Sequence, residues 1–337
     1  MHADVFSVIA DSTRRRIVRL LAEQTHTVGA VVEKLGMSQP TISKHLKVLR
    51  EAGVVSAVVE GQRRLYSLNP EVFTEITDWV DEILEAARAS AMAHPSRVIV
   101  ISKAGGETGL HAKIQVGEGL PGDLIALKLH GELTLHGDSV VLPLLLPDSP
   151  TIVWWPHNAP DAPAQDPIGR LATRRITDSM GAPDPQLALA IRARNLAPGD
   201  TDLCWTRITR WRTLLAAALD QFPHQVTSAL VRSTPDNACS TLLVAWLEQQ
   251  LKVPVLHEDS DQPGISEARL TTGQGDIIIN RGRSETIARY AVPGQPERKI
   301  ALKRRPLTEL LMEELQRMDP DDIFESVVSR IASQVGE

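Results

Sequence analysis

Met37-Ser38-Gln39-Pro40-Thr41-Ile42-Ser43-Lys44-His45-Leu46-Lys47-Val48-Leu49-Arg50-Glu51-Ala52-Gly53-Val54-Val55 is the stretch that decides the fold of the N-terminal part. Ile42, His45, Leu46 and Leu49 fall at i, i+3, i+4 and i+7, one inward stripe of a helix. Ser38 stands where an N-cap belongs, and Gly53 stops the helix. The outward arc is then Pro40, Thr41, Ser43, Lys44 and Lys47. Upstream, Val5, Ile9, Ile17, Leu20 and Leu21 recur at helical spacing, with Arg14, Arg15, Arg16 and Arg19 between them. Thr27 caps a short helix through Val28, Val31, Val32 and Leu35, and Gly36 suits the position after its end. Downstream, the β-like runs Val54–Val59 and Arg64–Leu68 are joined by Glu60-Gly61-Gln62-Arg63, which predicts a hairpin.

Three helices and a basic-tipped hairpin predict a winged helix-turn-helix, in which the third helix enters the major groove and the wing touches the flanking backbone. Ser38, Gln39, Pro40, Thr41, Ser43, Lys44, His45, Lys47, Gln62, Arg63 and Arg64 are the candidate DNA-binding residues. Lys44, Lys47, Arg63 and Arg64 can neutralise phosphates, while Gln39, Thr41 and Ser43 can reach base edges. His45 lies at the edge of the apolar stripe and reads as a packed residue near a phosphate rather than a metal ligand. A small helical domain with merely solvated faces would show the same periodicity.

The charge is placed to match. Residues 1–70 hold ten Lys+Arg and six Asp+Glu, and the rest holds 26 and 36, so a net charge of −6 over 337 residues averages two unlike parts. A uniformly basic nucleic-acid coat is excluded; a basic patch is not. The length predicts two or three domains. The only cysteines, Cys204 and Cys239, are too few for a disulfide framework or a four-cysteine zinc site. The start Met1-His2-Ala3-Asp4 lacks the features of a signal peptide, and the greasiest run, Val140–Leu146, is too short to span a bilayer. The expectation is a cytoplasmic protein with no membrane contact and no cofactor.

Asp11-Ser12-Thr13-Arg14-Arg15-Arg16-Ile17, the stretch Met37–Val55 and Gly61-Gln62-Arg63-Arg64-Leu65-Tyr66-Ser67-Leu68 resemble the ArsR family of dimeric winged-helix repressors, over about residues 3–80. The resemblance implies a homodimer on double-stranded DNA. Family members that sense metals place cysteines in the second or third helix, or acids and histidines on the last; here both cysteines lie far downstream, and Asp78 and Asp81 lack a His-x-x-Glu partner. No metal site is therefore expected. Pro70 can open a further helix with Val72, Ile76, Trp79, Val80, Ile83 and Leu84 on one apolar face, ended by His94-Pro95. In ArsR-like proteins the terminal helix pairs subunits, which makes Val72, Ile76, Trp79, Val80 and Ile83 candidate dimerisation residues. The same stripe could equally pack on its own head.

Beyond Pro95 the texture becomes short β-rich runs, Arg97–Ile101, His111–Val116, Leu124–Leu129 and Thr151–Trp155. Helices are expected over Pro185–Asn195, Trp205–Leu219 and Ala238–Leu251, with strands at Gln225–Val231 and Val253–Leu256. Four antiparallel strands (Ile265–Leu270, Asp276–Asn280, Thr286–Tyr290, Lys299–Leu302) and helices over Leu307–Met318 and Asp321–Ser333 complete the chain. No P-loop, dinucleotide fingerprint, HExxH or nucleophile elbow is present. His257-Glu258-Asp259-Ser260-Asp261 reads as a solvated turn, and Cys204 as a buried small hydrophobe. Arg174, Arg175 and Asp178, and Asp200, Asp202 and Arg207, are candidate ligand or partner residues; arginines of this kind hold phosphorylated ligands or form structural ion pairs, and both readings stand.

His94-Pro95-Ser96-Arg97-Val98-Ile99-Val100, Val153-Trp154-Trp155-Pro156, Arg174-Arg175-Ile176-Thr177-Asp178 and Pro198-Gly199-Asp200-Thr201-Asp202-Leu203-Cys204-Trp205-Thr206-Arg207 are similar to OpcA, the glucose-6-phosphate dehydrogenase assembly protein family, over about residues 82–335. The resemblance implies a non-enzymatic partner that binds glucose-6-phosphate dehydrogenase and promotes its active form. OpcA proteins normally begin with a further helix and strand, in whose place the ArsR-like head stands; a missing strand would leave a sheet edge unless something covers it. The expected fold class is α+β multidomain: a winged helix-turn-helix, then an α/β OpcA-like region with a C-terminal mixed or antiparallel sheet and helices. The expected domains are a DNA-binding head at 1–80, a connecting and dimerisation helix at 81–94, an OpcA-like N-terminal part at 95–222 and a C-terminal α+β domain at 223–337. The expected function is a non-catalytic regulator fused to a dehydrogenase partner. The alternatives are an assembly protein whose winged helix only dimerises, or a transcription factor sensing a sugar phosphate.

Overall fold

The computed structural model describes residues 8, 11–60, 63–73, 85, 86, 89, 96–115, 123–284, 286–317 and 319–334. The chain divides into two compact units, residues 1–84 and 85–337. In the first, α1 (Ser12–Glu23), α2 (Val28–Leu35) and α3 (Gln39–Glu51) precede a hairpin of β2 (Val55–Glu60) and β3 (Arg63–Leu68). A two-residue strand, β1 (His26–Thr27), pairs with the outer side of β3, which the sequence reading did not foresee. Asp11 opens α1 by accepting the Arg14 amide at 2.8 Å, and Thr27 opens α2 by accepting the Ala30 amide at 3.3 Å. Gly36 closes α2 at φ 65°, a left-handed conformation that a side chain would resist. Ile17, Val31, Ile42, Leu46, Leu49 and Val54 are fully buried in one core, as the helical periodicity requires. Of the expected terminal helix, only the short 3₁₀ turn Pro70–Phe73 falls within this unit's described residues; Val72 packs there on the head's own core. Ile76, Trp79, Val80 and Ile83 lie outside the described residues, as does Gln62 in the wing.

Among its described residues the second unit holds three sheets. The first, in order β4 (Val98–Ala104), β6 (Leu124–His130), β5 (Gly109–Gln115), is parallel on one side of β6 and antiparallel on the other. Its inner face packs on Val141 of the short helix α4 (Gly137–Val141) and on Leu144 and Leu145. The second is wholly parallel: β7 (Ile152–Trp154), β8 (Arg174–Thr177) and β9 (Asp200–Asp202), with α5 (Pro185–Arg194) between the last two. After β9 come α6 (Leu203–Arg207) and α7 (Thr209–Gln221). The third sheet is six-stranded and mixed, built from β10 (Val226–Ser233), β11 (Val255–Asp259), β12 (Ile265–Thr272), β13 (Gly275–Asn280), β14 (Ile287–Ala291) and β15 (Arg298–Ala301) in the order β11-β10-β12-β13-β14-β15. Only β10 and β11 are parallel in it, joined across by α8 (Ala238–Leu251). The closing helices are α9 (Leu307–Leu315) and α10 (Asp322–Gln334). Trp205, Trp211, Leu215, Leu242, Leu243, Leu270, Ile277, Ile279, Phe324 and Val327 share the main core.

Two expectations are corrected. The single helix over Trp205–Leu219 is two, meeting at Ile208. The Thr206 carbonyl, which a continuous helix would offer to residue 210, is bonded by the Arg305 guanidinium. The supposed turn His257–Asp261 is strand as far as Asp259. Parallel pairing sets His257 beside Val231 and Glu258 beside Arg232, and the polar groups are met across the ladder: His257 Nε2 lies 2.9 Å from Ser233 Oγ, and Arg232 donates to Glu258 at 2.7 Å. Satisfied cross-strand partners let a polar run occupy a sheet.

Substituting Leu46→Ala or Leu242→Ala, both fully buried, should cost about 2–5 kcal/mol each. Val58→Ser, on the exposed wing, should stay within about 0.5 kcal/mol of the parent. Denaturant unfolding of the three variants checks the contrast.

Candidate functional site

The outward face of α3 is polar because its inward face is taken. Ile42, Leu46 and Leu49 are buried, so Ser38, Gln39, Pro40, Ser43, Lys44 and Lys47 are exposed, and Thr41 is half-buried. Ser38 holds the N-cap position, but its hydroxyl lies 2.8 Å from Thr41 Oγ1 and makes no backbone cap bond. Pro40, in the first turn, removes one of the amides such a cap would use. Lys47 reaches only Glu51, at 3.8 Å on an exposed helix face, a pair weak enough to be exchanged for a phosphate. Arg63 and Arg64 are exposed at the start of β3, where the hairpin turns. His45 is half-buried, with Nδ1 3.6 Å from Asp11 Oδ1, so it ties α3 to the start of α1. The Arg14 amide, against opposing burial and with help from His45, holds the Asp11 carboxyl below the usual range. Asp11 was missed as a partner of His45; its only sequence signal is the helix-capping pattern Asp11-Ser12-Thr13.

In the second unit the six charged candidates converge on β8 and β9 and the residues that follow them. Arg175 donates to Asp200, to the Ala172 carbonyl at 2.9 Å and to the Pro198 carbonyl. Asp200 in turn accepts the Ala197 amide at 2.9 Å. Arg207 grips Asp178 with two bonds of 2.6 and 2.7 Å. Arg174 reaches Glu314 of α9, whose other oxygen accepts Thr206 Oγ1 at 2.7 Å. Asp202 accepts the hydroxyls of Thr177 at 2.8 Å and Ser179 at 2.7 Å, and the amides of Ser179 at 3.0 Å and Cys204 at 2.9 Å. Both strands were invisible in the sequence, because Arg-Arg-Ile-Thr and Asp-Thr-Asp lack the apolar alternation that announces a strand.

One ligand atom each from Asp178, Asp202 and Cys204 lies within 4.8 Å of the others. Arg207 and the four donors to Asp202 already engage those carboxylates, and burial pushes the Cys204 thiol far up, so the group is built as a hydrogen-bonded cluster. Thr201 Oγ1 has no partner among the described residues and lines a cavity of about 20 Å³ with Thr177, Arg192, Asp200 and Asp202. That is room for about one water, far below the several hundred Å³ of a metabolite site.

Burial pushes the Asp178 and Asp200 carboxyls up, against the pull of Arg207 and Arg175. Asp202 goes the other way: burial raises it, but the bonds from Ser179, Cys204 and Thr177 outweigh that and hold it low. Its contribution to stability is therefore present above the ordinary carboxylate value and lost as pH falls through its depressed one. Asp202→Asn should destabilise the chain by about 1–3 kcal/mol at neutral pH. The difference from the parent should narrow below about pH 4, measured by denaturant titration across pH.

Comparison with known proteins bears on both units. The family model for bacterial regulatory proteins of the arsR family matches residues 11–57. Those for the glucose-6-phosphate dehydrogenase subunit match residues 87–194 with its N-terminal domain and 198–328 with its C-terminal domain. The transcriptional repressor SdpR of Bacillus subtilis is 40% identical over 77 residues, 23% of this chain and 86% of the repressor. An HTH-type transcriptional regulator of Methanocaldococcus jannaschii is 39% identical over 82 residues, 24% of this chain and 92% of that protein. An arsenic resistance transcriptional regulator of Pseudomonas putida is 42% identical over 82 residues, 24% of this chain and 61% of the regulator. No described helix is long and apolar enough to cross a membrane. The chain is thus a fusion of an arsR-family, DNA-binding type of regulatory domain to the two assembly domains of the glucose-6-phosphate dehydrogenase subunit (OpcA) family.

Proposed function

We propose that the head binds operator DNA as a homodimer and that the body binds glucose-6-phosphate dehydrogenase and promotes its assembly, without catalysis by this chain, in the cytoplasm. The observation that carries the first half is the division of α3 into a buried apolar stripe and an exposed arc of Gln39, Ser43, Lys44 and Lys47, within the arsR-family match. Arg63 and Arg64 on the wing add cations beside that arc. Lys44, Lys47, Arg63 and Arg64 take phosphates in this reading, and Gln39, Thr41 and Ser43 take base edges, with Ser38, Pro40, His45 and Gln62 setting the approach. Val72, Ile76, Trp79, Val80 and Ile83 contribute to pairing of subunits. The carrying observation for the second half is the pair of subunit-domain matches over residues 87–328. The domains we assign are the head at 1–80, a connecting segment at 81–94, and body parts at 95–222 and 223–337. In the body, Arg174, Arg175, Asp178, Asp200, Asp202 and Arg207 act as the frame of the partner surface, since each is bonded within the chain.

Replacing Lys44 and Lys47 by alanine should weaken a gel shift on the chain's own upstream DNA and, with two lysines lost from each head of the homodimer, lower the slope of log K against log salt by about 4. An unchanged slope would mean that α3 does not enter the groove. Ser43→Ala should instead alter sequence preference and leave the salt slope alone. Purified dehydrogenase should be captured by the full chain and show a lower KM for its substrate in its presence. No complex at micromolar concentrations would remove the second half.

A further inference from the structure

The sheet β4-β6-β5 ends in an edge strand that the described chain does not cover. Register places Ile114 beside Ile125, Ala112 beside Leu127 and Leu110 beside Leu129, so these three β5 residues share the sheet's inner face with the core. Ile125, Leu127 and Leu129 are at most 5% exposed, whereas Leu110 is 46% and Ile114 62% exposed. The inner face therefore continues past its cover as an apolar strip. The other edge differs: Ile99 and Ile101 of β4 pack on the core beneath.

The alternate residues are polar or cationic. His111 and Lys113 point to the opposite face, where Lys128 stands beside His111 and the His130 ring lies 5.4 Å from that of His111. That face carries Lys113, Lys128, His111 and His130, while Lys103 stands beside Leu129 on the inner face, and the three strands contain not one Asp or Glu in a chain whose net charge is −6. Among the described residues none of these lysines meets a carboxylate. An edge that the described residues leave open, with an apolar strip on one face and lysines on the other, selects its own complement. We infer that β5 accepts, as a fourth strand, an extended segment of another polypeptide in which apolar residues alternate with Asp or Glu. Its apolar side chains continue the cover over Leu110 and Ile114, and its carboxylates fall opposite His111 and Lys113. A second copy of β5 supplies no acidic complement: its own alternate residues are His111 and Lys113, so it sets no carboxylate opposite Lys113.

This deepens the proposed function, from which it takes only that the body docks onto another polypeptide. The test titrates the full chain into labelled, end-capped peptides of about nine residues: alternating Val and Glu, alternating Val and Lys, and the Val-Glu peptide N-methylated on alternate amides. A single-stranded oligonucleotide serves as the polyanion control. The Val-Glu peptide should bind, and the Val-Lys and N-methylated forms should not. Lys113→Glu and Ile114→Lys, both at exposed positions, should each weaken binding about five-fold, and Lys113→Glu should improve binding of the Val-Lys peptide. Equal binding of the two charge types, no binding of the Val-Glu peptide, or binding of the oligonucleotide alone would overturn the inference. Dehydrogenase capture is measured in parallel. Capture by the parent chain without Val-Glu binding rejects the edge and keeps the proposed function; Val-Glu binding without capture does the reverse.

Discussion

The Asp202 carboxylate is the point on which the body's middle layer depends. It is fully enclosed, and a bare carboxylate there would cost several kcal/mol. Four donors from β8, the turn after it and the first turn of α6 meet it instead, two of them hydroxyls and two of them amides. Those bonds fix where β8 lies beside β9, where α6 begins, and how the turn Ser179–Gly181 leaves the sheet. The neighbouring pairs repeat the device. Arg175 with Asp200 closes one end of the two strands, Arg207 with Asp178 the other, and Arg174 with Glu314 brings α9 onto the same layer. Gly199 has to be glycine for this to close: its φ is 87°, and a Cβ would come within 2.3 Å of the Thr173 carbonyl. Charges buried against partners in this way favour one arrangement of the strands, because losing a partner leaves the other charge buried and unpaired.

The head is organised by the opposite principle. Its core is small and mainly apolar, His26 being the buried polar residue among the described residues, and the Lys47–Glu51 pair lies on its exposed face. Fully burying Ile42, Leu46 and Leu49 leaves Ser43, Lys44 and Lys47 no direction but outward. The Asp11–His45 contact adds one polar tie between α1 and α3 that holds the presenting helix against its neighbour. A lysine-bearing surface thus follows from packing, without any described residue being strained to make it.

The two regions of the chain were unequally legible. Each helix of the head could be read from period and caps, since Ile17, Leu21, Val31, Ile42, Leu46 and Leu49 are buried at the positions the 3.6-residue repeat selects. Thr27, Gly36 and Gly53 marked ends correctly for the same local reasons. In the body, β10, α8 and β13 were announced by clusters of Val, Leu and Ile. The strands β8 and β9 were not, because their burial is charged and depends on partners 25 residues apart, as Arg175 and Asp200 are. The break at Ile208 was equally hidden, since Arg305, which bonds the Thr206 carbonyl just before it, lies 99 residues beyond Thr206.

Sequence alone determined the elements whose causes are local: helix period, caps, the wing, the basic bias of the first seventy residues and the two family resemblances. Only the tertiary structure decided that the scattered arginines and aspartates gather on β8, β9 and the residues after them, that His257 and Glu258 belong to a strand, and that β5 presents apolar residues on one face and Lys113 on the other at an edge the described residues leave open. Those features depend on which distant segments meet and in what register, and a side chain's type does not carry its partner's position.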